Sequence, residues 1–172
     1  MRSLGKSYFR GTIAEDLPLE METLRKVFRL HAQGSLVEAF EVGESIDPYS
    51  IKDKKVRAIF VADHVLLAVK IGRGWLESNT ALAQEDIDGR CLLEYARYSY
   101  HFWNDHNAAW RSIWRLLMLA PRSSCPSLIV TVLFLVGHML CIAGWQRIGF
   151  SIATAAYSFF IRQKRRTPSS FA

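Results

Sequence analysis

His101, Asp105 and His106 come closest, in this 172-residue sequence, to the residue types and spacing that hold a metal ion or carry acid–base chemistry. They stand in the order His101-Phe102-Trp103-Asn104-Asp105-His106. Two histidines five residues apart do not share a helix face as an i, i+4 pair does, and the Glu that acts as base in a His-Glu-x-x-His site is missing. The three are weak metal candidates that would need His64 or Cys91 to join them from elsewhere; a polar helix cap among aromatics is the plainer expectation. No other motif does better. Leu4-Gly5-Lys6-Ser7 has the ending of a phosphate-binding loop without its upstream glycine or a preceding strand, and Gly72-Arg73-Gly74 is too short for one. A Gly-x-Ser-x-Gly elbow is absent, and Ser50, Ser78 and Ser112 have no local context that would activate them. Cys91, Cys125 and Cys141 fit no zinc or dithiol spacing, which suits a reducing compartment. No catalytic residue, metal or cofactor is assigned.

The elements that would position these side chains read as helices. Pro18, Glu20 and Glu22 suit a helix start, and Leu24, Val27, Phe28 and His31 follow at i, i+3, i+4, i+7 as one apolar face, to about Gln33. Gly34 breaks this helix, Ser35 can cap a second through Leu36–Val42, and Asp47-Pro48 marks a turn. Residues 52–71 are ambiguous between a buried helix interrupted by Asp63 and two strands joined at Ala62-Asp63-His64. Helix is favoured, because that turn lacks the glycine a tight hairpin prefers. From Thr80 a stripe of Leu82, Ile87, Cys91, Leu92, Tyr95, Tyr98 and Phe102 again predicts helix, with Gln84, Asp86, Arg90, Glu94 and Arg97 opposite it and Gly89 as a weak point or start. Asp105 caps a further helix, His106 to Ala120, which Pro121 ends.

Charge and hydropathy divide the chain. Residues 1–120 hold sixteen Lys/Arg and all sixteen Asp/Glu, so they are neutral overall. The net charge of +6 belongs to Arg122, Arg147, Arg162, Lys164, Arg165 and Arg166, in a C-terminal third without one acid. That placement suits anionic lipid rather than DNA or RNA, and no nucleic acid is expected as a partner. Leu128–Trp145 is eighteen residues without a charge, and Ile148–Ile161 is fourteen more. One continuous helix from Leu128 to Ile161 would be about 51 Å long, against a bilayer core of about 30 Å. A hairpin turning at Gly144–Arg147 resolves this, either as a thin full crossing or as a wedge that dips in and returns. Positive charges number three before it (Arg111, Arg115, Arg122), one at its turn (Arg147) and four after it (Arg162, Lys164, Arg165, Arg166). Both ends are therefore expected on the cytoplasmic side. The N-terminus lacks the apolar region of a signal peptide, and Arg2 stands where a myristoylation signal needs glycine.

The fold class expected is mainly α: a small helical cytoplasmic domain followed by a C-terminal transmembrane or re-entrant helical hairpin. Its parts are a lead-in (1–15), a helical domain (16–104), an interfacial amphipathic helix (105–121), the hairpin (126–161, arms 126–145 and 148–161) and a basic tail (162–172). In the interfacial helix Ile113, Leu116, Leu117 and Ala120 form the apolar side, flanked by Trp110 and Trp114, with Arg111 and Arg115 toward water. Trp110, Arg111, Trp114, Arg115, Arg122, Arg162, Lys164, Arg165 and Arg166 make up the membrane-interface set. Inside the hairpin His138 is the one strongly polar group of the first arm, and Thr154, Tyr157 or Ser158 on the second could satisfy it. Small residues on the second arm, such as Gly149 and Ala153, allow close packing. Arg122–Ser127 reads as a short hinge.

These features point to an integral membrane protein, in the inner membrane if bacterial, that is not itself an enzyme. Its partners would be the bilayer and a membrane-protein complex or a second copy of itself. By architecture alone, an accessory or exclusion-type protein of a bacterial or mobile-element transport system has this plan. A membrane-associated metal-dependent hydrolase or transferase using His101, Asp105 and His106 is the alternative, and a structural subunit of a larger membrane assembly is another.

Overall fold

The computed structural model describes residues 21–78, 80–125 and 127–166, and among these every regular element is a helix. In order they are α1 (Glu22–Gln33), α2 (Leu36–Glu44), a 3₁₀ turn (Pro48–Ser50), α3 (Lys54–Lys70), α4 (Thr80–Ala83), α5 (Ile87–His101), α6 (His106–Leu119), a second 3₁₀ turn (Ala120–Arg122), α7 (Ser127–Ile142) and α8 (Gln146–Arg166). The chain divides into two compact units, Met1–Cys125 and Pro126–Ala172. The lead-in over 1–15 and the helix start at Pro18 lie outside the described residues, as does everything beyond Arg166.

In the first unit α3 is central, packed against α2, α4 and α5. Its residues Ala58–Asp63 and Val65–Ala68 are all buried, so apolar side chains surround it instead of forming one stripe. That is why its sequence carries no helical period and could be mistaken for paired strands. The helix starts where Asp53 Oδ1 accepts from the backbone N–H of Lys55 (2.8 Å) and Val56 (3.0 Å). It ends at Gly72, whose φ of 80° is in the left-handed region. Around α3 the core is built from Val27 and Phe28 of α1, Phe40 of α2 and Leu92 and Leu93 of α5. Gly89 explains how α5 comes so close: a Cβ there would stand 2.8 Å from Ala58 Cβ and 2.5 Å from the Ala83 carbonyl oxygen. The glycine expected to mark a weak point is a contact position, and the helix starts before it, with Asp86 as its cap.

In the second unit α7 and α8 pack together across the turn Ala143-Gly144-Trp145, where Gly144 has a φ of 88°. A Cβ on Gly137 would meet the Gly149 carbonyl oxygen at 2.6 Å and Ala153 N at 2.8 Å, and one on Gly149 would meet Cys141 Sγ at 2.7 Å. Glycines at both positions let the backbones touch. The expectation of a membrane span is not met. Among the described residues no helix is long and apolar enough to cross a membrane. The eighteen-residue apolar run is cut at Ile142 by the glycine turn, leaving a helix of 16 residues, about 24 Å long. α8 has 21 residues, but it takes in Arg147 at one end and Arg162–Arg166 at the other.

Candidate functional site

α5 and α6 carry most of the sequence-predicted site residues, and they meet at the break after His101. The Phe102 N–H donates to the Tyr98 carbonyl oxygen (2.9 Å) at the end of α5, and Asp105, whose Oδ1 accepts from Ala108 N at 2.9 Å, caps α6. Accepting that backbone hydrogen bond holds the Asp105 carboxyl below its ordinary pKa, with Arg111 adding to the effect. His101 closes α5 with its ring edge on Tyr100 at 5.1 Å, and His106 opens α6, exposed, with its ring 6.4 Å from that of Phe102. Among the described residues no group of three His, Cys, Asp or Glu side chains is placed to hold a metal ion. The geometry at the break is that of a helix cap.

α6 packs its apolar side onto α5 and leaves a different surface to water. Ile113 and Leu116 are fully buried and Ala120 nearly so, and these are residues expected to line an interfacial apolar face. The exposed face instead carries Trp114 (63% exposed) and Met118 (73%), with Arg111, Arg115 and Arg122 along the same side and Trp110 half-buried beside them. Trp103, in the break, is 81% exposed. Exposed Trp and Met beside arginines, without an intervening acid from His106 to Arg122, make an amphipathic cationic surface.

Between this face and α5 lies an open groove of about 530 Å³. Leu93, Trp114, Met118 and Leu119 supply its apolar wall, and Arg90, Arg97 and Arg115 its charge. Glu94, expected on the solvent side of α5, is buried at the groove. One of its oxygens pairs with both Arg97 and Arg115, the latter at 3.5 Å, while Oε2 has no hydrogen-bond partner among the described residues. Arg90 is aimed by a 2.8 Å hydrogen bond from its Nε to the Gln84 carbonyl oxygen.

Two buried polar clusters went unpredicted. Asp63, wholly buried on α3, has Oδ1 2.7 Å from Nδ1 of the buried His31 on α1, and Lys70 Nζ reaches His31 Nε2 at 3.3 Å. Desolvation lowers the Lys70 pKa despite the nearby Asp63. The signal was present as a histidine on an apolar face and an aspartate interrupting a buried helix, but only the fold pairs them. Asp88 is the second case. Its carboxylate accepts from Ser123 Oγ (2.6 Å), Ser124 N (3.0 Å) and Ser124 Oγ, and Lys55 Nζ lies 3.2 Å away. Burial would raise its pKa, but these bonds prevail and hold it below the ordinary value. Ser123 and Ser124, within the expected hinge, are thereby tied to α5.

In the second unit the contacts of Gly137 and Cys141 set the register, with the two helices folding back at Gly144–Trp145. Thr154, Tyr157 and Ser158 are exposed on α8, not turned inward. His138 is half-buried on α7. Arg162, Lys164, Arg165 and Arg166 lie in the last turns of α8, and their side chains are outside the described set. No family model, curated protein or solved structure matches this chain.

Proposed function

We propose that this chain is a membrane-tethered interaction or regulatory protein, not an enzyme, whose C-terminal helix pair holds the helical first unit at a bilayer and presents it to another membrane complex. The observation that carries the reading is the surface of that pair. Ile129, Leu133, Ile142, Ile148, Phe150, Tyr157 and Phe159 on the two helices, and Trp145 in their turn, are all exposed, and the pair contains no acid. So many large apolar side chains left exposed on one short helix pair call for a covering medium. Helices of this length favour the wedge over the full crossing: α7 is about 24 Å long and the uncharged stretch Ile148–Ile161 about 21 Å, against a hydrocarbon core of about 30 Å. The pair enters one leaflet and returns, with both termini on the cytoplasmic side as the positive charges direct. In a bacterium that membrane is the inner one, and an accessory or exclusion-type protein of a transport system has this plan by architecture.

A photo-crosslinker at position 103, where Trp103 is the most exposed aromatic among the described residues, tests the presentation. In native membranes it is expected to capture one membrane protein. Capture should fail when residues 127–166 are deleted and return when an unrelated membrane hairpin replaces them. Capture that persists after the deletion would contradict the tethering role.

A further inference from the structure

The groove beside α6 has more positive charge than the first unit can neutralise locally. Its three guanidiniums, Arg90, Arg97 and Arg115, face one carboxylate, and that carboxylate, Glu94, is shared by two of them. Arg90 is held by a backbone carbonyl, and no carboxylate lies within 4 Å of it among the described residues. Next to this charge stand Trp114 and Met118, both largely exposed, over Leu93 and Leu119. An occupant that satisfies both parts must join an anionic head to an apolar continuation. Guanidinium forks match phosphate oxygens bidentately, and indole and thioether surfaces suit the glycerol and first methylenes of an acyl chain. A volume of about 530 Å³ is in the range of small-molecule sites, and its open side leaves the remaining chain outside.

We propose that this groove binds the headgroup of an anionic phospholipid, with the phosphodiester on Arg90 and Arg97 and the proximal methylenes against Trp114 and Met118. The inference rests on the membrane reading above and adds a lipid preference to it. It makes the first unit a reader of bilayer charge, separate from the helix pair that inserts.

The test uses the full chain on phosphatidylcholine vesicles containing either brominated phosphatidylglycerol or brominated phosphatidylcholine, with tryptophan quenching as the readout. Brominated phosphatidylglycerol is expected to quench more strongly, and Trp114→Phe should remove the excess. Arg90→Gln, which breaks no ion pair in the fold, should weaken the preference about tenfold, the equivalent of one charge-assisted contact, with vesicle flotation unchanged. Equal quenching by both lipids, or an excess indifferent to Arg90→Gln, would overturn the proposal. So would loss of the excess on adding inorganic phosphate alone, which would assign the groove to free anion, or on adding an acidic peptide, which would assign it to a protein. Should the chain fail to float at all, the anchor reading falls by itself. The groove is then judged with soluble dihexanoyl phosphatidylglycerol, where Arg90-dependent binding supports the site and its absence overturns it.

Discussion

Asp63 and His31 form a polar pair shut off from water, with His31 Nδ1 2.7 Å from Asp63 Oδ1. A carboxylate with no exposure is tolerable only while its partner stays in place. His31→Ala should therefore destabilise the first unit by about 3–5 kcal/mol, read as a drop in urea midpoint, whereas the same change at the exposed His106 should cost little. His64 adds a pH dependence. Desolvation lowers its pKa below 6.5, although the Phe40 carbonyl at 3.4 Å and nearby Asp63 and Glu44 pull the other way. The folded state thus prefers the neutral ring, and the unfolded chain takes up the proton first as pH falls. Stability is complete above pH 6.5 and declines from there down to the folded-state pKa. His64→Phe, which keeps a ring against Phe40 and Phe60, should flatten urea unfolding midpoints across that window. An unchanged slope would place the dependence elsewhere.

At the scale of elements, Gly89 sets two effects against each other. Alanine favours helix over glycine by about 1 kcal/mol, but its Cβ would press on the Ala83 carbonyl and on Ala58. Backbone must move to admit it, and overpacking of this kind costs about 1–3 kcal/mol. Gly89→Ala should lower the melting temperature, and a rise would show that α5 and α3 can separate freely. The same residue marks what was legible in the sequence. Glycine's propensity could be read directly, while the close approach that requires it depends on a helix thirty residues away. Capping aspartates at 47, 53, 86 and 105 act within three residues; of these Asp105 was read as a cap, and Asp47 only as part of a turn. α3 was ambiguous because burial on all sides erases periodicity. α6 was read with Ile113 and Leu116 toward a bilayer: they form a good apolar face, but sequence could not say that α5 would cover it. Glu94 and Arg90 looked like an ordinary solvated face for the same reason.

The whole molecule joins a neutral helical unit to an acid-free helix pair, and the two differ in what they leave exposed. The first unit buries its large apolar side chains apart from a few, chiefly at the α5–α6 break and on α6. The second buries Leu128, Val130, Val132, Leu135 and Met139 and leaves large apolar side chains exposed along both of its helices. The division at Cys125–Pro126 follows the change in charge that the sequence displays. The span did not follow from composition, because one glycine turn shortened the apolar run below crossing length. Flotation of the full chain with vesicles on a density gradient shows whether the helix pair is a lipid anchor. The chain should rise with the vesicles and stay with them through an alkaline wash, and deletion of residues 127–166 should leave it at the bottom. Full-length protein recovered at the bottom as a soluble monomer would contradict the anchor role.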